Sequence, residues 1–546
     1  MFRKERYLLL LVLIFALVGC SSEKGEKVAD DELGELAPSF TVLTATPEEN
    51  YITYEAMKMI SEEWKKLGVD VTVQPMDFHA KVDRLWAPDE RDYDAFTIGY
   101  SGRVERLDPD MFTYTIFHSS LAGPGGSNTT GLVNEEYDKY SKDQRHEMDP
   151  EKRRDLVFKA QEILADEVPV VSLYSNTLVH AYNHERFNEL PAMAGEGVFN
   201  EWMPTEAEPL TDDKWLKIGG IQDLDTLNPI AAKSVFDWRQ LRQIYDKLVR
   251  LNPQIEPVPS AAANWEVVND KTIDVFLRPN MTFHDGKPVT VEDVKFSYEF
   301  MDKWNDGYLQ AFLEPIESIE LLGGETIRFH LTEAYAPFIT ATLTQIPILP
   351  KHIWEKVEGN PLDFANLEPI GSGPFVFEYW RRGEELKVSR NPDYYNNINV
   401  DGYIYRVYGQ PEAVLSALRT GEIDTHADRL ISAHIQQAEN IEHISTIEVA
   451  DIGFEYLGLN LRRAPFDNEA FRQALALTID YDTILDVYLE GYGTKGGPGL
   501  VIQPANEFWH NPAAHQPIFD PKKARDILRE AGYNWDSEGK LRLPVN

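Results

Sequence analysis

Asp108 and Asp110 stand two residues apart, a pairing of carboxylates that could serve general acid–base chemistry, in a stretch (101–130) otherwise rich in Pro and Gly. The rest of an enzyme's equipment does not accompany them. No Gly-x-Ser-x-Gly elbow occurs, and Gly491-x-Gly-x-x-Gly-Gly lacks the Lys-Ser/Thr of a phosphate loop. Thirteen histidines include His180 and His184, but no His-Glu-x-x-His or similar metal spacing. The single cysteine, Cys20, excludes disulfides and cysteine metal sites. Close by, Arg103 offers a planar fork that suits a carboxylate or phosphate, unless Glu105, Asp108 or Asp110 takes it internally. The chemistry on offer is that of holding a solute: no catalytic residue, cofactor or metal is expected, and Asp108 and Asp110 read as loop braces.

The elements that must position such residues read as α/β. Phe40 to Ala45 is a strand, Tyr51 to Leu67 an amphipathic helix, and Gly68 to Gln74 a second strand. Phe78 to Trp86 is a helix, and Tyr93 to Tyr100 a third strand, which completes a βαβ pattern. Pro150 to Ala165 is helical and Pro169 to Tyr182 strand-like. At 546 residues, with 43% hydrophobic and 11% aromatic content, two or three packed domains are expected. Lys plus Arg number 53 against 90 Asp plus Glu, so the net charge of −37 argues against nucleic acid or anionic lipid as the main partner.

Location is written at the start. Arg3, Lys4 and Arg6 precede an apolar run, Leu8 to Val18, too short for a comfortable span. Leu17-Val18-Gly19-Cys20 then resembles a bacterial lipobox, which implies cleavage before Cys20, lipid on that residue and a place on the extracytoplasmic face of the membrane. Residues 21–38 are polar and aperiodic and read as a flexible tether.

Trp265 to Phe300 contains a period-2 strand (Ile273, Val275, Leu277), the turn Phe283-His-Asp-Gly, and Thr290-x-x-Asp293 before an apolar helix. This stretch resembles the signature of family 5 extracellular solute-binding proteins, the peptide- and nickel-type receptors that feed ABC importers. Trp215-Leu-Lys-Ile-Gly-Gly, Asp225-Thr-Leu-Asn-Pro, Gly371-Ser-Gly-Pro-Phe, Arg390-Asn-Pro-Asp-Tyr-Tyr, Tyr456-Leu-Gly-Leu-Asn and Arg472-Gln-Ala-Leu follow in family order. Residues 40–187 are similar to the family's C-terminal part, yet here they come first. The order is that of a circular permutant joined through the Pro- and acid-rich stretch 191–213, with a splice of two fragments as the alternative. The resemblance implies a two-lobed, type II periplasmic-binding-protein-like α/β fold with an inserted third domain. One lobe combines 39–184 and 453–546, the other 185–250 and 370–452 with its joining linker 191–213, and 251–369 is the insert.

It also implies a monomeric receptor that captures a peptide or other small molecule between its lobes and passes it to ABC permease subunits. A ligand-gated sensor and an extracellular hydrolase are the alternatives. In peptide-binding relatives the ligand backbone pairs with a Gly-aromatic-x-x stretch, here Gly99-Tyr100-Ser101-Gly102, where Tyr100 offers a stacking face. Asn128 and Tyr174 match further pocket positions, with a turn role and ordinary packing as alternatives, and Ser234 and Val235 adjoin the pocket. Trp238 and Trp509 are candidate caps of the cleft, or core residues. Where those relatives place carboxylates for a ligand's ammonium, this chain has Arg103 and Lys233. The reversal implies an anionic or amine-blocked ligand.

Overall fold

The strand Val170–Asn183 is apolar or small at almost every position, and it is buried throughout except at Asn176 and Thr177. Burial on both faces is what a central strand requires. Its first half pairs antiparallel with Phe454–Leu459 and Gly493–Pro498, its second half with Ile444–Ala450 and, at Tyr182, with Thr425. One continuous strand thus runs through two halves of a twelve-stranded sheet, and its two half-exposed residues fall where it passes between them. The computed structural model describes residues 34–89, 91–103, 106–305 and 309–545. Residues 1–33, on which the expected leader, Cys20 and most of the expected tether fall, lie outside them.

The first half of the sheet is the expected βαβ unit. Phe40–Thr44 pairs in parallel with both Val71–Pro75 and Ala95–Tyr100. Helix Tyr51–Lys66 joins the first two strands; Asn50 caps it by accepting from the Thr53 N–H, and Ala56, Met57, Ile60 and Trp64 form its buried stripe. Helix Phe78–Leu85 joins the next pair and is capped by Asp77. In the second half, Trp215–Gly220 pairs in parallel with Gly402–Val407, and Glu385–Arg390 and Phe375–Arg381 extend the sheet to its edge. A separate four-stranded antiparallel sheet (Ala262–Asn269, Thr272–Leu277, Thr326–Leu331, Ile316–Gly323) packs against helix Val291–Trp304. Ile273, Val275 and Leu277 are buried, and Thr290 and Asp293 form the reciprocal capping box that their spacing predicts.

Two readings are corrected. The stretch 191–213 is not a simple exposed connector. Val198, Phe199, Met203 and Ala207 enter the core beneath Trp215–Gly220. Glu201, 5% exposed, meets Lys247, with Arg242 Nε at 3.6 Å and Arg250 Nε at 3.7 Å. Composition suggested solvent, but a carboxylate among three buried cations is drawn inward by charge. The tether also ends earlier than residue 38. The Ala37 N–H donates to Leu541 O (2.9 Å) and the Leu543 N–H to Glu35 O (2.8 Å), so 35–37 are docked on the segment 541–543.

Candidate functional site

Phe40–Thr44 follows its neighbour Ala95–Tyr100 only as far as Phe96. From Thr97 to Tyr100 that strand therefore keeps an edge without a strand partner on this side, while Phe454–Leu459 pairs with the other. An extended ligand can add to such an edge through main-chain hydrogen bonds. At Gly99 a Cβ would lie 2.2 Å from Oε1 of Glu455, the residue opposite in register, so any larger residue makes that carboxylate shift.

Beyond the edge, Arg103 and Lys233, 130 positions apart in the chain, line one cavity of about 610 Å³ together with Arg106 and Arg145. Tyr335, Phe312 and Pro337 of the smaller domain close its far wall. Of the three carboxylates that line it, Asp108, Asp110 and Glu314, the two aspartates have other partners. Asp108 accepts from Arg153 Nη1 (2.9 Å) and Nη2 (2.6 Å) and from Thr340 Oγ1 (2.5 Å). Burial would raise its pKa, but Arg153 and Thr340 outweigh burial and hold it below the usual range. Asp110 accepts from Gln144 Nε2 (2.7 Å) and pairs with Arg145 Nε (3.1 Å). Burial, assisted by the neighbouring Asp108, pushes it up to about 6 in spite of Arg145. Both aspartates brace the loop, and neither is paired with Arg103; Glu105, the third internal partner considered for Arg103, lies outside the described residues.

Several candidates fall elsewhere. Tyr174 is a core residue, 1% exposed, whose hydroxyl meets Thr53 Oγ1 (2.9 Å) and donates to Asn50 Oδ1 (3.2 Å). Asn128 is fully buried. Its amide donates to Phe117 O and Leu132 O, and its carbonyl accepts from Thr130 and Gly131, so it fixes a turn. The Tyr100 ring lies parallel to that of Tyr456 at 5.7 Å, with the Arg106 guanidinium over it at 5.3 Å, and both partners already cover it. Trp238 packs in the core beside Leu241 and Ile244. Ser234 caps helix Val235–Ile244 in a reciprocal box with Asp237, and Val235 opens that helix. Trp509 lines a different cavity, about 840 Å³, and stacks on Arg153 at 4.9 Å.

Three site residues went unread: Lys81, Arg429 and Glu455, which line a cavity of about 560 Å³ with Gly99, Tyr100 and Ser101. Glu455 carried a signal, as a lone charge in the apolar strand Phe454–Leu459. Lys81 is one of two buried residues of helix Phe78–Leu85, where a lysine on the inward face is the anomaly. Among the described residues no group of three or more His, Cys, Asp or Glu is arranged to hold a metal ion, and no helix is long and apolar enough to cross a membrane.

Residues 256–546 match the family described as bacterial extracellular solute-binding proteins, family 5. Oligopeptide-binding protein AppA of Bacillus subtilis is 30% identical over 274 residues, 49% of either chain. The probable D,D-dipeptide-binding periplasmic protein DdpA of Escherichia coli is 27% identical over 293 residues, 51% of this chain and 56% of its own. The chain spans about half the length of these curated relatives. Among solved structures, HbpA2 from Haemophilus parasuis superposes with a TM-score of 0.51 at 24% identity, over 58% of this chain and 66% of that one. The fold is the type II periplasmic-binding-protein α/β fold.

Proposed function

The chain belongs to the family 5 bacterial extracellular solute-binding proteins, and from that premise we propose that it is the ligand-capturing receptor of an ABC importer, specific for an anionic or amine-blocked peptide-like solute. One observation carries the ligand class: Arg103 and Lys233 line a single cavity with Arg106 and Arg145, in which Asp108 and Asp110 are already engaged. A free ammonium entering there meets four cations and, besides the engaged aspartates, only the carboxylate of Glu314, so the balance of charge in the lining opposes it. A carboxylate meets guanidinium forks.

On this reading the ligand backbone lies along Thr97–Ser101 and bridges the lobes, and closure is population shift toward the state in which both lobes touch it. The lobes are 39–184 with 453–546 and 185–250 with 370–452, and 251–369 is the inserted domain. Lipid on Cys20 holds the receptor, as a monomer, at the extracytoplasmic face beside its permease, and its work is binding rather than catalysis. The chain is a circular permutant of its family. The docking of 35–37 on 541–543 supports this, because it puts the two segments that are contiguous in the family side by side.

Thermal stabilisation of the purified protein tests the ligand class. The panel contains free peptides, N-acetylated and acidic peptides, acidic sugars and nickel chelates. A ligand at a hundred times its Kd adds about 2.7 kcal/mol of stability, a clear shift of midpoint. Acidic or N-acetylated ligands are expected to stabilise most. Strongest stabilisation by free-amine neutral peptides overturns the charge-reversal argument.

A further inference from the structure

Two cavities meet where the smaller domain touches the rest of the molecule, and one contact stands between them. The short segment 336–341 turns Pro337 and Ala341 to the cavity of about 610 Å³, and Ala336, Ile339 and Thr340 to that of about 840 Å³. On the other side Asp108 lines the first cavity and Arg153 the second. The Asp108 carboxylate joins all of them: it accepts from both ends of the Arg153 guanidinium and, at 2.5 Å, from Thr340 Oγ1. Neither partner is placed to swing away. Arg153 is 3% exposed, donates to Gln144 O (3.1 Å) and lies over the Trp509 ring. The turn that presents Thr340 is closed by the Ala341 N–H donating to Pro337 O at 2.7 Å.

The ligand-binding edge leads toward this contact. Past Ser101 the chain contributes Arg103 and Arg106 to the first cavity and then Asp108, so an extended solute that leaves the edge along this path meets the Asp108–Thr340 bond next. The space beyond has a different character. Trp265, Phe508 and Trp509 wall it with rings, and its charged lining is Glu147, Glu256, Glu507 and the committed Arg153. Glu256, Glu507 and Phe508 are exposed, so this second cavity opens outward.

We propose that the Asp108–Thr340 contact is the end-stop of the solute cleft, and that Thr340 sets how long a bound solute can be. The inference rests on the receptor reading above and deepens it. A solute that ends within the first cavity leaves the contact intact. A longer one has to part it before its next residues reach Trp265 and Trp509. Parting it breaks a hydrogen bond to an ionised carboxylate, which lowers affinity about ten-fold. The neighbouring wall does not yield instead: the Arg145 guanidinium lies 5.3 Å over the Tyr335 ring and is itself paired with Asp110 at 3.1 Å.

Isothermal titration of the full chain with peptides of two lengths tests the end-stop. The probes are Ac-Ala-Glu-Ala-NH2 and the same peptide lengthened by Ser-Ala-Ser-Ala on its N-terminal or its C-terminal side, an addition of roughly 13 Å when extended. Wild type is expected to bind the short probe about ten-fold more tightly than the one lengthened toward Asp108. Thr340→Ala, which removes hydroxyl and methyl together, brings that ratio close to one. Thr340→Val keeps the volume and the fold but loses the bond, and lowers the ratio in part; Thr340→Ser keeps the hydroxyl and the wild-type ratio. The control is Thr344→Ala: that buried hydroxyl donates to Thr340 O (2.8 Å), so its loss lowers Tm beside the stop without opening it. Ratios that stay at the wild-type value in both Thr340→Ala and Thr340→Val, or that shift as much in Thr344→Ala, overturn the end-stop. So does a wild type indifferent to length. If a ligand of the stabilisation panel binds and none of these peptides does, the solute is not an extended chain and the end-stop falls alone. Absence of binding by these probes and by the whole panel removes the receptor reading and the end-stop with it.

Discussion

Replacing Glu201 by Gln tests whether the stretch 191–213 is a working part of the core. Glu201 is the shared counter-ion of Lys247, Arg242 and Arg250, which are 4%, 6% and 3% exposed. The carboxylate stays ionised because the attraction of these three outweighs its burial. Glutamine keeps the shape and one acceptor but removes the charge. Asp246, fully buried and 3.7 Å from Arg250 Nη2, remains, and it already accepts from Ser260 and Tyr395. Breaking a buried pair from one side costs about 3–5 kcal/mol, because it leaves an uncompensated charge in low dielectric. For a cooperative unit of 150–250 residues, each kcal/mol moves Tm by roughly 2–4 °C, so a fall of roughly 6–20 °C is expected by scanning calorimetry.

The matched control is Glu206→Gln in the same stretch. That side chain is exposed, and its replacement should fall within about 0.5 kcal/mol. Glu201→Gln should also make 191–213 more open to limited proteolysis, and adding Lys247→Met should recover part of the loss by removing one orphaned cation. A Tm for Glu201→Gln within 2 °C of the Glu206→Gln control, on the scale above, refutes the reasoning: the stretch then behaves as a connector.

Glu455 predicts a pH signature. Its folded pKa is raised from 4.5 to about 7, so between those values the folded state keeps a proton that the unfolded chain has lost. Stability contributed by this proton is full below about 4.5, falls as pH rises, and is gone above about 7; with 1.36 kcal/mol per unit it amounts to roughly 1–3 kcal/mol. Denaturation of Glu455→Gln across pH 4–8 should lack that slope, and a slope equal to wild type contradicts the assignment. Gly99→Ala forces a Cβ against the Glu455 carboxylate, and should cost roughly 1–3 kcal/mol and abolish ligand-induced stabilisation. Full stabilisation by the best wild-type ligand shows that the edge is not the ligand's place. Re-permutation tests the chain order: a protein starting at Lys214 and running to 545, then through a short Gly/Ser linker to 35–190, should fold with near-native circular dichroism. It also drops 191–213, and with Glu201 it loses Val198, Phe199, Met203 and Ala207 from the core, so its Tm should fall by more than the Glu201→Gln amount. Failure to fold even when 191–213 is appended at its C-terminus counts against the permutation.

What the sequence made legible was local. The box Thr290/Asp293 and the stripe Ala56–Trp64 depend on neighbours within one or two turns, and both stand in the structure as their spacing implies. What it hid was direction and distant partnership. Pro169 to Tyr182 reads as strand-like, but not which side of Tyr174 meets Thr53, because both faces of that strand are covered. Helical spacing does not tell a cleft-facing Trp238 from one that packs on Leu241. The acid-rich 191–213 looked solvated because its partners, Arg242 to Arg250, lie some forty residues on in the chain. Lys81 was hidden for the same reason: Glu455, whose field opposes the effect of its burial, lies far on in the chain. Buried charges therefore have to be read with their partners: Glu201 reports on architecture because Lys247, Arg242 and Arg250 surround it, and Lys81 can be read only with the carboxylates that line its cavity.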